Sequence, residues 1–305
     1  MKPKGRYTLI KGKFWIHYPD NPRQGPQPDG DTVTFAADDV ELVKRLRRFS
    51  GRAPKLNASG RIATRFEGID ALETHASGTH QDLTFANAAR ERNLALLGFR
   101  HVVFFPGDPN VVQSVDTNPL PGYVLANGIE SNGRLLALVY PGSTPKADGA
   151  AVFVDVATLN RSVNAKLVEG GFAYVEPYDT MPMQLVTRLR AIVLAARNAN
   201  RGLYPAESVT TAKSAQIRNL AELQALVMWP KLFRRLATYF GEGNSGLRAF
   251  DAWVRDDLVQ RDDTLRLPDG ELANLHDTYA IAGNRLQLNY TPESLLIAPD
   301  PPPRV

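Results

Sequence analysis

The sequence predicts an α+β protein that is mainly β: a small closed barrel carrying helices, followed by a mostly helical C-terminal region. Three observations support this prediction. Short β-rich runs bounded by Pro, Gly, Asn and Asp fill much of the first half of the chain. Helical segments near 84–97 and 183–202, each with a glycine at its end, accompany these runs. After Pro205 the pattern changes to amphipathic helices, so we divide the chain into 1–205 and 206–305.

The barrel strands are predicted from β-rich composition and from the turn residues between the runs. A Pro/Gly-rich loop at 19–30 separates the first two strands. "DDVELVKRLRRF" has apolar residues at helical spacing after a candidate cap, Asp38 or Asp39, which predicts a helix inserted between strands. "GYVLANGIESNGRLLALVY" predicts a hairpin that turns at "ESNGR". The other predicted strands are "KFWIHY", "TVTF", "RIATRFEGI" and "HVVFF".

Three helices are predicted to pack with these strands. "LTFANAARERNLALLGF" is predicted to end at Gly98, and "SVNAKLVEGGF" at the Gly170–Gly171 pair. "MQLVTRLRAIVLAARNANRGLYP" is a long helix predicted to end at Gly202. A cluster of strands with an internal helix and a closing helix favours a closed barrel.

The C-terminal region is predicted to contain two amphipathic helices. One is broken at Pro230, and the other, in "SGLRAFDAWVRDDLVQ", has Ser245 as its candidate cap. "RLQLNY" alternates like a half-buried strand, and the tail "PDPPPRV" is predicted to be extended. We expect one apolar stripe to pack this region on the barrel. That stripe comprises Leu223, Leu226, Trp229 and Phe233.

Composition places the chain among ordinary globular proteins, with 43% hydrophobic and 22% charged residues. No apolar run approaches the roughly 18 residues of a membrane-spanning helix, and the basic N-terminus has no apolar segment typical of a signal peptide. We therefore expect a cytoplasmic protein without membrane contact, with a secreted protein that has lost its leader as the alternative. The absence of cysteine excludes disulfides and thiolate metal sites.

Charge is distributed unevenly along the chain. Residues 1–205 carry a net charge of +6 and residues 206–305 carry −2. A basic cluster supplies much of the first excess: Lys44, Arg45, Arg47, Arg48, Arg52, Lys55 and Arg61. Such a cluster attracts a polyanion, although a solvated helix face and loop explains it equally well. For 206–305 we expect packing on the barrel, or on a protein partner or second copy of the chain, rather than contact with a nucleic-acid backbone.

One set of charged residues matches the needs of phosphodiester hydrolysis. That reaction uses oxygen ligands for a hard divalent cation, a carboxylate beside the attacking water and guanidinium donors for the phosphate. Asp31 and Asp70 are candidates for the cation, Glu73 for the base, and Arg65 and Arg134 for the phosphate. On a regular strand Arg65 and Asp70 would face opposite sides. We therefore expect Asp70 and Glu73 on the turn that leaves the strand.

Three motifs in order, "DGDT", "R-x-x-G-I-D-A-x-E-T" and "G-R-x-L-A-x-V", resemble the staphylococcal nuclease (thermonuclease) family. The similarity continues through "VNAKLVEGGFAYV" to "GLYP" and covers roughly residues 8–205. The resemblance implies a five-stranded Greek-key barrel of the OB-fold type. It also implies a Ca2+-dependent endonuclease that cleaves DNA, with RNA as a further candidate substrate and Mg2+ or another divalent ion as the alternative metal.

The resemblance also implies roles for individual residues. Glu73 corresponds to the general base, and Arg65 and Arg134 to the two arginines that clamp the scissile phosphate. The implied calcium ligands are Asp31, Asp70 and the backbone carbonyl of Ala71. The implied outer-shell or substrate-contacting residues are Asp29, Tyr174 and Tyr178.

The sequence departs from the family pattern at several positions. Leu72 replaces a proline, which predicts a less rigid loop around Glu73, and Asn132 replaces an aromatic residue. Glu176 replaces the second of two tyrosines, so we expect an altered substrate clamp. The rival hypothesis is a non-catalytic nucleic-acid-binding module. His75 and His80 flank the motif but lack the helical spacing of a metal pair, and we assign them no metal role.

Overall fold

The computed structural model describes residues 5–257 and 261–298. The predicted extended tail, 299–305, and the end of the second C-terminal helix segment lie outside the described residues. The strands are β1 (Arg6–Trp15), β2 (Thr32–Ala37), β3 (Ile62–Phe66), β4 (Gly68–Asp70), β5 (Val103–Phe105), β6 (Asp108–Ser114), β7 (Leu120–Ile129), β8 (Leu135–Pro141), β9 (Ala151–Phe153), β10 (Tyr174–Glu176), β11 (Ser214–Gln216), β12 (Thr264–Arg266), β13 (Leu272–Asn274), β14 (Tyr279–Ala282), β15 (Arg285–Leu288) and β16 (Leu296–Ile297). The helices are α1 (Val40–Lys44), α2 (Leu83–Leu97), α3 (Val156–Arg161), α4 (Val163–Glu169), α5 (Met183–Asn198), α6 (Leu220–Gln224), α7 (Pro230–Gly241) and α8 (Phe250–Arg255).

Five strands close into an OB-like barrel, so the predicted closed barrel and the mainly β character are confirmed. The strand order is β2–β3–β8–β7–β1, and a further pairing of β1 with β2 closes it. β3 and β8 are parallel, whereas the other barrel pairs are antiparallel. Gly12 allows β1 to pair on both sides, because a Cβ there would lie 2.1 Å from the carbonyl oxygen of Ala36. In chain order, β3 and β8 are the third and fifth strands of the barrel. They lie side by side, as the third and fifth strands do in OB-type barrels.

Two of the predicted helices, α2 and α5, form and pack on this barrel. The side chain of Asp82 caps the first backbone N–H groups of α2, and Gly98 ends the helix with a φ of +99°. α5 ends at Asn198, four residues before the predicted end at Gly202. The reason is a left-handed backbone at Asn200 and Gly202, which turns the chain so that the Leu203 N–H donates to the Gly171 carbonyl at 2.9 Å.

The helix inserted between β2 and β3 is shorter than predicted. Asp39 caps α1 as expected, but the helix ends at Lys44 instead of continuing through "RLRRF". The following backbone bonds to β7 instead, because the Ile129 N–H donates to the Arg47 carbonyl at 2.8 Å and the Phe49 N–H donates to the Ile129 carbonyl at 3.0 Å. Pairing with a barrel strand therefore overrides the local helical pattern.

The C-terminal region is mixed rather than mostly helical. In its described residues, α6, α7 and α8 pack with two three-stranded antiparallel sheets, β11–β15–β14 and β13–β12–β16. Alternating apolar residues place one side of each strand in a core separate from that of the barrel. Leu223, Trp229 and Phe233 lie in this second core, and Leu226 packs against it. The predicted stripe therefore packs mainly within the C-terminal region, and α8 begins at Phe250 without the Ser245 cap.

Among the described residues, no helix combines the length and the apolar character needed to cross a lipid bilayer.

Candidate functional site

The "DGD" segment leads directly into β2, and close packing fixes its conformation. A Cβ on Gly30 would lie 2.4 Å from the Cβ of Ala71, so only glycine fits there. The Asp31 N–H donates to the Asp29 carboxylate at 3.0 Å, and the Ala71 N–H donates to the Asp31 carboxylate at 2.8 Å. Asn93 of α2 donates to the Asp29 carbonyl at 2.8 Å. These bonds hold Asp31 in a buried position before β2.

Arg65 and Asp70 are brought together by a break in the strand. β3 ends at Phe66, and Gly68 at a φ of +82° begins the separate strand β4. On one regular strand the two side chains would face opposite sides, and the break in the strand lets them face each other. Asp70 lies in β4, however, rather than on the turn after it. One guanidinium nitrogen of Arg65 donates to Asp31, and the other donates to Asp70 at 2.5 Å. Both Arg65 and Asp70 are buried.

Glu73 lies on the loop after β4, as predicted. The fully buried Gln81 holds this loop, because its side-chain oxygen accepts from the Glu73 N–H at 3.1 Å and its backbone N–H donates to the Glu73 carbonyl at 2.9 Å. The Gln81 amide nitrogen donates in turn to the Met228 carbonyl at 2.9 Å. Leu72 is buried at 1% exposure. These contacts anchor the loop that carries Glu73.

Arg134 follows the turn between β7 and β8. Gly133 adopts a φ of +81°, and the Arg134 backbone N–H donates to the Glu130 carboxylate at 2.9 Å. The Arg134 guanidinium donates to both carboxylate oxygens of Glu130 at 3.3 Å. The Arg134 side chain is 32% exposed, so it borders solvent while remaining paired.

A residue that the sequence analysis did not select, Arg234, completes this group. It belongs to α7 in the C-terminal region. Its two terminal nitrogens donate to the two carboxylate oxygens of Asp70 at 3.1 Å each, and one of them donates to Glu73 at 2.5 Å. The sequence signal was the spacing of Lys231, Arg234 and Arg235 on an otherwise apolar helix. Residues three and four apart share a helix face, so this spacing predicts one cationic face.

Burial and charge shift the acidic groups in different directions. Burial opposes ionisation of Asp70, but Arg234 and Arg65 outweigh it and hold its pKa well below the usual range. Burial raises the pKa of Glu73 despite the contact with Arg234. Burial and the nearby carboxylates of Asp31 and Glu73 raise the pKa of Asp29 to about 8. At neutral pH the group therefore contains a firmly ionised Asp70 beside carboxyls that retain protons more readily.

Glu176 links the barrel to the C-terminal region. It is buried, and its carboxylate accepts from the Trp229 indole nitrogen at 2.7 Å. Lys231 lies 3.8 Å from the same carboxylate and 3.2 Å from Asp263. Burial and the charge of Asp70 raise the pKa of Glu176 to about 7. Glu176 therefore helps to hold α7 against β10.

The two tyrosines proposed as substrate contacts have different surroundings. Tyr174 is 1% exposed, and its ring packs edge-on against Tyr204, so it belongs to the barrel core. Its strand, β10, pairs with β4, and a substrate contact of Tyr174 stays a prediction. Tyr178 is half-buried and lines the open space beside Arg65.

Tyr178 and most of the charged residues described above border one cleft, a cavity of about 1090 Å³ between the barrel and α7, whereas Asp70 and Tyr174 do not line it. Eight cationic and six carboxylate side chains line it, which favours an anionic ligand. The charged lining residues are Asp29, Asp31, Arg52, Lys55, Arg61, Arg65, Glu73, Glu130, Arg134, Glu176, Lys231, Arg234, Arg235 and Asp263.

The basic cluster divides into two parts. Arg52, Lys55 and Arg61 line the cleft, and the Arg61 guanidinium lies 3.7 Å from the centre of the Trp15 ring. Lys44, in contrast, is exposed and pairs with Glu41 at 2.7 Å on α1. The cluster is therefore split between residues that line the cleft and residues on an exposed helix face.

The carboxylate oxygens of the described site do not fit the calcium ion that the family resemblance implies. The oxygens of Asp31 and Asp70 accept hydrogen bonds from Arg65, Arg234 and the Ala71 N–H. A hard cation needs several such oxygens that do not already accept hydrogen bonds from N–H groups. Within residues 5–257 and 261–298, no group of three or more acidic, histidine or cysteine side chains is arranged to hold a metal.

Two comparisons with known proteins identify no family for the chain. No protein-family model matches it, and no curated protein matches it either. The fold and the cleft therefore define the class on their own: an OB-like barrel with a mixed-charge, cation-rich cleft completed by a second region of the same chain.

Proposed function

We propose that the protein is a nuclease that hydrolyses phosphodiester bonds of DNA, with RNA as a further candidate substrate, on a barrel similar to that of the staphylococcal nuclease family. One observation carries the proposal. Arg65 and Glu73 come from one motif and Arg134 from a distant one, and all three line a single cleft in which cations outnumber carboxylates. A phosphate backbone is the polyanion that such a cleft accommodates.

In this proposal, Glu73 accepts a proton from the attacking water. Its side chain is 15% exposed and borders the cleft, and its raised pKa makes it a stronger base than an ordinary glutamate. Arg134 borders solvent and can turn from Glu130 to a phosphate oxygen, to which guanidinium is a bidentate donor. Arg65 is buried against Asp31 and Asp70, and its positive charge acts on the phosphate from the wall of the cleft. No step uses calcium, because the described donors do not fit it.

The experiment is digestion of plasmid DNA and RNA in Ca2+, in Mg2+ and in EDTA, with Glu73→Gln beside the wild type. Glutamine keeps the volume but cannot take the proton, so turnover should fall by about 10²–10⁴ while substrate binding is kept. Glu169→Gln at the exposed end of α4 is the matched control and should cleave like the wild type. Equal turnover of Glu73→Gln and the wild type would refute the role of Glu73.

The alternative is a non-catalytic nucleic-acid-binding module, and one contact favours it. Arg234 donates to Glu73 at 2.5 Å, which ties up the carboxylate that the reaction needs. Binding of DNA or RNA without cleavage in Ca2+, Mg2+ and EDTA would establish this alternative in place of the nuclease.

A further inference from the structure

We propose that Arg234 is a built-in cation of the cleft. Its guanidinium takes the place at Asp70 and Glu73 that a divalent ion would otherwise fill, so the cleft binds and turns over a phosphodiester without a bound metal. The part of this inference that concerns turnover rests on the proposed function, whereas the part that concerns cation binding does not.

The contacts of Arg234 are those of a bridging cation. The fork of its guanidinium meets both oxygens of Asp70 at 3.1 Å, and one nitrogen also reaches Glu73 at 2.5 Å. A planar guanidinium suits a bidentate carboxylate contact, and it stays charged at any physiological pH. Asp70 has no exposed surface, and Arg65 occupies its other side at 2.5 Å. A calcium ion would therefore have to displace a guanidinium from a buried carboxylate, which is costly.

The helix that supplies Arg234 is fixed in place on the barrel. The Trp229 indole bonds to buried Glu176 at 2.7 Å, and Gln81 bonds to the Met228 carbonyl at 2.9 Å, both just before α7. On another side, the Ile297 N–H donates to the Pro177 carbonyl at 2.9 Å. Because the C-terminal region is held by buried bonds at several points, Arg234 is a permanent part of the cleft rather than a removable cover.

Arg234 also faces the substrate space. Its side chain is 27% exposed and lines the cleft, unlike Arg65, whose side chain is 7% exposed. A phosphate that enters beside Glu73 therefore meets a guanidinium whose position is set by Asp70. Preorganised cations at such a position stabilise charge that develops in the transition state.

The first test measures cation binding alone, by isothermal titration of the metal-free protein with Ca2+. The wild type should show no saturable site in the millimolar range that weak calcium sites reach. Arg234→Met removes the charge and should gain one saturable site. Arg234→Lys keeps the charge and should remain without one. A saturable site in the wild type with the same affinity in Arg234→Met would overturn the inference.

The second test measures cleavage of plasmid DNA and RNA in EDTA. Wild-type turnover should be the same in EDTA as in Ca2+, and Arg234→Met should lose about 10²–10³ in EDTA. Wild-type cleavage that is abolished by EDTA and restored by Ca2+ would overturn the inference and leave the nuclease proposal standing. If the wild type cleaves under no condition, the nuclease proposal fails, and the calcium titration still decides whether Arg234 replaces a metal.

The matched control is Arg190→Met. Arg190 of α5 also joins the two parts of the chain, donating to the carbonyls of Glu293 and Ser294 at 2.7 and 2.9 Å, but it does not line the cleft. It should behave like the wild type in both tests. If Arg190→Met instead matches Arg234→Met, loosening of the interface explains both, and the inference is wrong. Should Arg234→Met fail to fold, the wild-type titration and EDTA assay still decide the question.

Discussion

The pH dependence of stability should depend strongly on one buried carboxyl, Glu67. It lies between β3 and β4 with no exposed surface, and Asn127 donates to it at 2.5 Å. Burial raises the pKa of Glu67 from 4.5 to about 7, although the Asn127 hydrogen bond opposes the shift. We therefore choose Glu67→Gln, which keeps the size and the acceptor for Asn127 but does not titrate.

The direction of the pH dependence follows from the pKa of Glu67 in the folded and in the unfolded protein. The folded state keeps the Glu67 proton up to about pH 7, whereas the unfolded chain releases it near pH 4.5. The contribution of protonated Glu67 to the free energy of unfolding is therefore fully present below pH 4.5. This contribution is lost as the pH rises through 7. Because each pKa unit corresponds to about 1.4 kcal/mol, the loss in the wild type amounts to about 3 kcal/mol.

The assay is urea unfolding of wild type and Glu67→Gln across pH 4.5 to 8.5, a window set by the two pKa values. The free energy of unfolding of the variant should rise relative to that of the wild type by about 3 kcal/mol over this window. Glu169→Gln, which removes an exposed charge, should leave the profile unchanged. A relative change below about 1 kcal/mol would refute the assignment of a buried, protonated Glu67.

Three further predictions concern the interface, the barrel closure and the cleft. Trp229→Phe removes the indole donor to a buried carboxylate and should lower the free energy of unfolding by about 1–3 kcal/mol, measured by urea unfolding. Gly12→Ala forces a methyl group against the neighbouring strand and should cost about 1–3 kcal/mol in the same assay. Neutralising Lys55 and Arg61 together should reduce the salt dependence of DNA binding by a slope of about 2, whereas Lys44→Gln, outside the cleft, should not.

Each of these has a result that would contradict it. A Trp229→Phe variant as stable as the wild type would show that the indole bond contributes nothing net. Gly107 has open space around it, so Gly107→Ala is the control for Gly12→Ala, and equal effects would argue against the predicted clash. For the cleft, equal salt slopes for the double variant and Lys44→Gln would mean that the bound backbone does not follow the cleft.

The barrel could be predicted from sequence because its signals are local. Strand composition, the Asp82 cap and the Gly98 stop each depend on a few neighbouring residues. α1 was predicted too long because its end depends on Arg47 and Ile129, which are distant in sequence but hydrogen-bonded in space. Local pattern cannot reveal a competing partner of this kind.

The cleft was predictable only on its barrel side. Asp31, Arg65 and Glu73 were selected because their motifs follow one another in a recognisable order along the sequence. The structure brings all three side chains to a single cleft. The contact of Arg234 with Asp70 spans 164 positions along the chain, and no local rule connects them. The net charge of −2 for 206–305 does not reveal the cationic face on α7 that borders the cleft, because it averages over the whole region.

The amide of Gln81 imposes an order of events on the newly made chain. A ribosome delivers the barrel segments before α7, and regions that emerge first generally fold first. Until the Met228 carbonyl arrives, the buried Gln81 amide lacks its acceptor and the loop of Glu73 lacks one of its anchors. Glu73 also lacks Arg234 until then. The nascent barrel thus carries an unfinished centre, and the carboxylate and its cation come together only after the later-made region has emerged and docked.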